Sequence, residues 1–151
     1  MAKRPIATWC FALVVVRLHD RFLLVQEAKH GSSWYLPAGR MEPGESFVET
    51  ARRETLEEAG IEIEPTSVFR IEHTPNRHSG EYRMRVFFRA RPVGDTTPKS
   101  RADDESLGAG WFTLDQVRGL PLRAPEVLHV LEDIAAGRSP EYPLEIFSRE
   151  H

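Results

Sequence analysis

A sharply bounded helix in the middle of the chain is the clearest structural signal in the sequence. Ser46 is followed three residues later by Glu49, a pair that can cap a helix N-terminus through reciprocal hydrogen bonds. Gly60 stands where a helix C-terminus favours a residue that accepts a positive φ. The pattern predicts a helix from Phe47 to Ala59. One arc of this helix is apolar or small, with Val48, Ala51, Thr55 and Ala59.

Three glutamates lie on the arc beside that apolar face. At about 100° per residue, Glu58 falls about 40° to one side of Glu54 and Glu57 about 60° to the other. Like charges three and four residues apart destabilise an isolated helix by a few tenths of a kcal/mol per pair. Clustered carboxylates, however, supply the oxygen ligands that Mg²⁺ requires. A solvated acidic face is the equally common alternative, and the helix alone does not decide between them.

Length and composition exclude several classes of protein. The 151 residues suit one domain, residues 1–151, and a formal charge of −3 argues against a protein that binds a nucleic acid duplex by neutralising its phosphates. The single cysteine, Cys10, excludes an internal disulfide and a multi-cysteine zinc site. The apolar run from Trp9 to Val16 is too short to span a membrane and no cleavage site follows it. We therefore interpret this run as a buried strand and expect a cytoplasmic protein that does not bind membranes.

Apolar patterns predict strands on both sides of the acidic helix. The predicted strands are Thr8–Leu18 and Phe22–Gln26, which form a hairpin, then Ile61–Ile63, Ser67–Glu72, Tyr82–Arg89 and Gly110–Leu114. The alternation of residues after Tyr82 predicts a strand with one buried face. A last amphipathic helix is predicted after Pro125, ending before Gly137. Helices separated by mixed strands indicate an α/β fold in which helices cover the faces of a sheet.

The residues around the acidic helix follow a recognisable order. From Gly39 to Ile61 the chain reads G-R-M-E-P-G-E-S-F-V-E-T-A-R-R-E-T-L-E-E-A-G-I. This stretch resembles the complete signature of the Nudix hydrolases, the MutT-like superfamily, and only Thr55 departs from it, where an aliphatic residue is preferred. The resemblance implies a Nudix α/β/α sandwich with a mixed β-sheet and a loop–helix–loop catalytic motif. It also implies an enzyme that hydrolyses a pyrophosphate linked to another group.

Carried over residue by residue, the resemblance implies a divalent-metal site. Glu54, Glu57 and Glu58 would bind Mg²⁺, or Mn²⁺ in its place, and the backbone carbonyl of Gly39 would be a further ligand. Glu54 is also the candidate general base for the attacking water. A diphosphate and three glutamates repel each other, so cations must lie between them, where they polarise phosphoryl oxygens and acidify a water molecule.

Other residues are expected to support this site. The resemblance implies that Arg53 and Glu45 form an ion pair that fixes the loop against the helix, in contrast to an ordinary surface pair of little energetic value. Glu105 is the candidate for a further acidic metal ligand from a distant loop, the alternative being a solvated acidic turn. Arg40 directly follows the candidate glycine ligand and is the candidate substrate-binding residue, because arginine suits bidentate phosphate contacts.

A narrower resemblance concerns the substrate. The matching stretches are residues 33–45, 102–103, 105–107 and 122–124. They are similar to the animal branch of the family that degrades oxidised purine deoxynucleoside diphosphates such as 8-oxo-dGDP. Bacterial members that sanitise triphosphates carry an asparagine that reads the oxidised purine, whereas this chain has Pro125 after Ala124. The expected substrate is therefore an oxidised or modified purine nucleoside di- or triphosphate.

Two other functions stay open at this point. One is a Nudix hydrolase for another group, such as a nucleotide sugar, ADP-ribose or a capped RNA end, since loops rather than the fold determine specificity. The other is a non-catalytic module that binds a nucleotide, which the presence of all three glutamates argues against. Because dimers are common in the family, a homodimer is a further expectation by analogy.

Overall fold

The computed structural model describes residues 2–150, which form seven strands and three α-helices. The strands are β1 (Thr8–Leu18), β2 (Arg21–Gln26), β3 (Trp34–Tyr35), β4 (Ala38–Arg40), β5 (Ile63–Thr74), β6 (Tyr82–Pro92) and β7 (Gly108–Phe112). The helices are α1 (Phe47–Ala59), α2 (Leu114–Arg118) and α3 (Glu126–Ala135), and short 3₁₀ turns lie at His30–Ser32 and Leu144–Ile146. Between residues 2 and 150, none of the helices has the length and apolar character needed to cross a bilayer.

The first strand, β1, lies at the centre of a mixed sheet. The main strand order is β3-β2-β1-β6-β5, with β4 also paired to β1 and β7 also paired to β2. β1 runs parallel to β6 and antiparallel to β2 and β4. Every residue of β1 from Ala12 to Val16 is buried, as a strand covered on both faces requires. The buried strand and the hairpin predicted for this region are confirmed.

Two apolar cores cover opposite faces of the sheet. Val14 and Ala51 belong to the core between the sheet and α1, whereas Val15 and Leu131 belong to the core between the sheet and α3. Successive side chains of a strand point to opposite faces, so β1 contributes to both cores. This arrangement is the predicted α/β/α sandwich with a mixed sheet.

Helix α1 has the predicted ends. The backbone N–H of Glu49 donates to the Ser46 hydroxyl over 3.2 Å, and the Ser46 N–H donates to the Glu49 carboxylate over 3.4 Å. Gly60 has φ 70° and donates its N–H to the carbonyl of Leu56 over 2.9 Å. The helix is therefore confirmed from Phe47 to Ala59. Its acidic arc lies beside β4 and beside the loop that connects β4 to α1.

The prediction of one buried face for the strand from Tyr82 is wrong at its centre. Val86, Phe87 and Phe88 are all buried, because the α1 core covers one face of β6 and the α3 core covers the other. The two separate strands predicted at 61–63 and 67–72 are also wrong, since the structure has one continuous strand there, β5 (Ile63–Thr74). Register shifts interrupt its pairing with β6 twice, near Ser67 and near Arg70.

Helix α2 was not expected, and part of it was predicted as strand. The predicted strand at 110–114 lies at 108–112 instead, and Leu114 begins α2. Thr113 accepts a hydrogen bond from the Gln116 N–H over 3.3 Å, and its own N–H donates to the Gln116 side chain over 2.9 Å. These two residues form a capping box, so the helix start is visible in the sequence once Thr113 is paired with Gln116.

Candidate metal and diphosphate site

Arg53 connects helix α1 to the loop that precedes it. Its Nε donates to Glu45 Oε2 over 2.7 Å and its Nη2 donates to Glu45 Oε1 over 3.0 Å, which is the bidentate geometry that arginine favours. The same carboxylate also accepts from the Glu42 N–H and the Thr50 hydroxyl. Hydrogen bonds from Arg53 hold the pKa of Glu45 at about 2, so this ion pair persists at neutral pH.

The same guanidinium group reaches the acidic arc. Arg53 Nη1 lies 2.8 Å from Glu54 Oε1 and 3.2 Å from Glu57 Oε2, and Nη2 donates to the backbone carbonyl of Arg40 over 3.0 Å. One arginine therefore links the loop, strand β4 and two of the three helix glutamates. The side chain of Arg53 is 21% exposed, so these contacts are stronger than those of a fully solvated pair.

Three carboxylates converge at the end of the arc. One oxygen from each of Glu54, Glu57 and Glu105 lies within 4.8 Å of the others. Glu54 and Glu57 come from adjacent turns of α1, and Glu105 comes from the loop between β6 and β7. An all-oxygen donor set of this kind fits a hard divalent cation such as Mg²⁺.

Glu58, the fourth acidic residue, lies against strand β4. Its Oε1 accepts a hydrogen bond from the Ala38 N–H over 2.8 Å. Burial raises its pKa to about 9, since the hydrogen bond from Ala38 offsets only part of the desolvation and Glu54 adds repulsion. Burial likewise raises the pKa of Glu54 to about 7, despite the hydrogen bond from Arg53. The site thus holds two desolvated carboxyl groups that a bound cation would stabilise in their ionised form.

Gly39 allows the Glu54 side chain of α1 to lie directly against the backbone of β4. A Cβ atom at this position would overlap the carboxyl group of Glu54. Any side chain at Gly39 would therefore displace the Glu54 carboxylate from the cluster. This contact explains why a glycine stands here, and it places the Gly39 backbone next to the candidate metal ligands.

A cavity of about 340 Å³ opens on the other side of β4. Ala38 and Gly39 belong to its wall, so the cavity and the acidic cluster share a strand. Its other lining residues are Phe11, Leu13, Tyr35, Arg83, Arg85, Arg123, Ala124 and Glu126. Two aromatic rings and three arginines line a cavity of a size that suits a small-molecule ligand.

A hydrogen-bonded triad occupies the wall of this cavity. The Tyr35 hydroxyl donates to Glu126 Oε1 over 2.7 Å, and Arg85 Nη2 lies 2.9 Å from both of these oxygens. Burial opposes ionisation of Glu126, but hydrogen bonds from Tyr35 and Arg85 more than offset it and leave its pKa below the ordinary value. Burial and the hydrogen bond to Glu126 raise the pKa of Tyr35. Arg123 stacks over the Tyr35 ring at 4.8 Å.

Most of the residues singled out in the sequence come together, but Arg40 lies apart from the cavity wall. Its guanidinium group stacks over the Trp9 ring at 4.5 Å, and only its backbone carbonyl contacts the Arg53 network. Sequence reasoning missed Glu126 and Lys99. Lys99 lies in the same loop as Glu105, where its ammonium group binds Asp103 and the Glu57 carbonyl of α1. Neither residue belongs to a sequence motif. Each reaches the site only through contacts formed by the fold, so the sequence carries no local signal for it.

Comparisons with known proteins identify the family. Residues 8–133 match the NUDIX domain family. The protein named 8-oxo-dGDP phosphatase NUDT18 from Mus musculus is 44% identical over 128 residues, which are 82% of this chain and 38% of the mouse protein. The protein named phosphatase NudJ from Escherichia coli O1:K1 / APEC is 29% identical over 134 residues, which are 87% of this chain and 85% of that protein.

Solved structures agree with these matches. A NUDIX hydrolase from Nitrosomonas europaea has a TM-score of 0.76 and 32% identity, and the match covers 95% of this chain and 97% of that one. The chain spans less than two-fifths of the length of its mouse relative. With its matched domain, its sequence identity and its fold, this chain belongs to the NUDIX domain family.

Proposed function

We propose that this chain is a Mg²⁺-dependent hydrolase that cleaves the diphosphate bond of an oxidised or modified purine nucleoside di- or triphosphate. The observation that carries the proposal is the group of carboxylates from Glu54, Glu57 and Glu105, placed across β4 from a cavity with aromatic and cationic walls. Membership of the NUDIX domain family supports hydrolysis rather than binding alone.

The metal set of the proposal is Glu54, Glu57, Glu58 and Glu105 with the Gly39 carbonyl. The donor chemistry supports Mg²⁺, with Mn²⁺ as a substitute, because both ions take carboxylate and carbonyl oxygens. The raised pKa values of Glu54 and Glu58 support the same assignment, since burial disfavours the ionised form of both carboxyl groups and a bound cation would favour it. Bound cations would neutralise the phosphoryl oxygens and acidify a water molecule.

In this proposal the residues of the chain have distinct roles in one displacement. With a nucleoside diphosphate, water adds to the terminal phosphorus, the bond from that phosphorus to the bridging oxygen breaks, and inorganic phosphate and a nucleoside monophosphate leave. Glu54 accepts the proton of the attacking water. Arg53 orients Glu54 through its 2.8 Å contact, and Glu45 holds Arg53 through the bidentate pair. In this proposal Glu54 is the catalytic base, and Arg53 and Glu45 complete the catalytic group by positioning it.

The substrate assignment draws on the cavity and on the relatives. A purine base can stack on aromatic side chains, and Phe11 and Tyr35 supply such rings in the cavity wall. Arg85 and Arg123 line the same wall, where they favour a phosphorylated ligand. The name of the mouse relative, 8-oxo-dGDP phosphatase, supports an oxidised purine nucleoside diphosphate as the first substrate to test. Arg40, the last residue of β4, is proposed as a phosphate contact.

We extend the proposal to the setting in which the protein acts. Residues 1–151 form one NUDIX unit in this proposal, and a homodimer is expected by analogy with the family. A cytoplasmic location is proposed because nucleotide pools are there and because the chain has a single cysteine. Light scattering after gel filtration tests the dimer, and cell fractionation tests the location.

A substrate panel tests the proposed activity. The purified chain is incubated with Mg²⁺ and 8-oxo-dGDP, 8-oxo-dGTP, unmodified nucleotides, a nucleotide sugar, ADP-ribose or a capped RNA, and release of phosphate is compared with release of pyrophosphate. We expect inorganic phosphate from 8-oxo-dGDP. Glu57→Gln should lower turnover by about 100-fold, equivalent to the loss of about 2.7 kcal/mol of transition-state stabilisation. The control Glu62→Gln, at an exposed position, should leave turnover unchanged.

The other outcomes of the panel correct the proposal in different ways. Preference for a nucleotide sugar, ADP-ribose or capped RNA would contradict the substrate and keep the enzyme class. Nucleotide binding without any turnover would contradict catalysis altogether. Full activity of Glu57→Gln would contradict the metal assignment.

A further inference from the structure

The C-terminal end of α1 is capped by the loop between β6 and β7. The last carbonyl groups of a helix have no partner inside the helix and need one outside it. Lys99 Nζ donates to the Glu57 carbonyl over 3.0 Å, and the Ser106 hydroxyl donates to the Glu58 carbonyl over 2.6 Å. The Lys99 backbone N–H donates to the Ala59 carbonyl over 2.8 Å. Three consecutive carbonyls at the end of the acidic helix are therefore bound by one loop.

Asp103 joins this capping contact to the turn that carries Glu105. Its Oδ1 accepts from Lys99 Nζ, from the Glu105 N–H over 2.8 Å and from the Ser106 N–H over 3.2 Å. The Asp103 N–H in turn donates to the Ser106 carbonyl over 3.0 Å. The backbone on both sides of Glu105 is thus tied to the same carboxylate that binds the Lys99 ammonium group.

Lys99 is built into this arrangement rather than solvated. Its side chain is 13% exposed, a low value for lysine, which is almost never fully buried unless paired. Its ammonium group bridges a helix carbonyl and the carboxylate of Asp103. A cation at a helix C-terminus is also favoured by the helix dipole. These contacts join α1, which carries Glu54 and Glu57, to the turn that carries Glu105.

We propose that Lys99 is a positioning residue that holds the Glu105 carboxylate against Glu54 and Glu57 for divalent-metal binding. The inference rests on the proposed function of that cluster and adds a residue from outside the family signature. Residues that orient metal ligands typically change metal affinity by about 10-fold to 100-fold when they are replaced. Lys99 acts here through the backbone of the turn and not through contact with the ion or the substrate.

The direction of the effect separates positioning from simple electrostatics. Removal of a positive charge near a cation site should strengthen cation binding if charge alone matters. Loss of the bridge should instead weaken binding, because Glu105 no longer has a fixed place. We expect Lys99→Met to weaken Mn²⁺ binding about 10-fold and Lys99→Arg to restore part of the loss. Lys29→Met, which removes an exposed lysine elsewhere, is the matched control and should leave the affinity unchanged.

The experiment is a Mn²⁺ titration of the full chain without substrate, followed by electron paramagnetic resonance of the free ion. Lys99→Met is measured alone and in a Glu105→Gln background. If Lys99 acts through Glu105, the double variant should bind no more weakly than Glu105→Gln. An undiminished effect of Lys99→Met in that background, or no effect in the wild-type background, would overturn the inference.

A second variant keeps the inference testable if Lys99→Met does not fold. Asp103→Asn weakens the same bridge from the loop side and should reduce Mn²⁺ affinity. Because it also removes a negative charge, it is measured in the Glu105→Gln background too, where a positioning effect should disappear and a charge effect should remain. Circular dichroism of each variant reports whether the fold is retained. Unchanged Mn²⁺ affinity in Glu57→Gln would overturn the metal site and this inference together. Loss of affinity in Glu57→Gln without any effect of Lys99 or Asp103 variants would overturn only the role of Lys99.

Discussion

Replacement of Glu58 by glutamine should stabilise the metal-free protein at neutral pH. Burial raises the pKa of Glu58 to about 9 from an ordinary value of 4.5. A carboxyl group with a raised pKa in the folded state favours folding below its unfolded pKa, and this advantage is lost as the pH rises towards its folded pKa. Glutamine removes the charge and keeps an oxygen that can accept the hydrogen bond from Ala38. The variant should therefore keep its stability as the pH rises, whereas the wild type loses stability.

The size of the effect follows from the pKa difference. At pH 7.5 the pH is about three units above the pKa of the carboxyl group in the unfolded chain, so that group is ionised there, whereas the folded group is still protonated. Each unit of this difference corresponds to about 1.4 kcal/mol of unfolding free energy. Glu58→Gln should therefore raise the free energy of unfolding at pH 7.5 by up to about 4 kcal/mol relative to the wild type. Near pH 4.5 the two proteins should be almost equally stable.

Urea unfolding in the presence of a chelator measures this difference. The wild type, Glu58→Gln and the exposed control Glu62→Gln are compared at pH 4.5, 6.0, 7.5 and 9.0. Only Glu58→Gln should become more stable relative to the wild type as the pH rises. Saturating Mn²⁺ should stabilise the wild type more than Glu58→Gln, since the ion neutralises the ionised carboxylate. A gain that is absent at pH 7.5, or equally large at pH 4.5, would refute the reasoning.

Three further predictions concern the residues around the cluster. Gly39→Ala should weaken Mn²⁺ binding by at least about 10-fold in calorimetric titrations, because the new methyl group overlaps the Glu54 carboxyl group; unchanged affinity would contradict the packing argument. Glu45→Gln should cost about 2 kcal/mol in urea unfolding at pH 7, between the values for exposed and buried pairs. Because the pKa of Glu45 is about 2, the stability that its pair with Arg53 contributes should persist until the pH falls below about 4 and should then decline. Loss of this stability at a higher pH would contradict the prediction. Arg85→Met should raise KM for nucleotides about 10-fold and change kcat less in steady-state assays, and an effect on kcat alone would contradict a role in substrate binding.

Local signals in the sequence were sufficient for the helix that carries the site. The Ser46–Glu49 capping box and Gly60 act within a few residues of each other, so both ends of α1 could be predicted without tertiary information. The same rule was available for Thr113 and Gln116, and α2 was missed because those two residues were not paired. The apolar run of β1 was predictable as well, since continuous burial needs continuous apolar residues.

Contacts between distant segments were not predictable in the same way. The spacing of Glu54, Glu57 and Glu58 predicts a shared arc, but only the fold turns Glu58 towards the Ala38 N–H and brings Glu105 beside the other two. Burial on both faces of β6 likewise depends on helices far away in the sequence. A side chain that reaches its partner across the sheet leaves no periodic signal, because periodicity reports only the local environment of its own element.

Anomalous diffraction from crystals soaked in Mn²⁺ tests the central claim most directly. The account predicts anomalous density among the carboxylates of Glu54, Glu57 and Glu105, at direct coordination distance from their oxygens. Crystals of Glu57→Gln soaked in the same way provide the matched control and should show weaker density or none. Absence of density at this position in the wild type, with the three carboxylates facing solvent separately, would contradict the account.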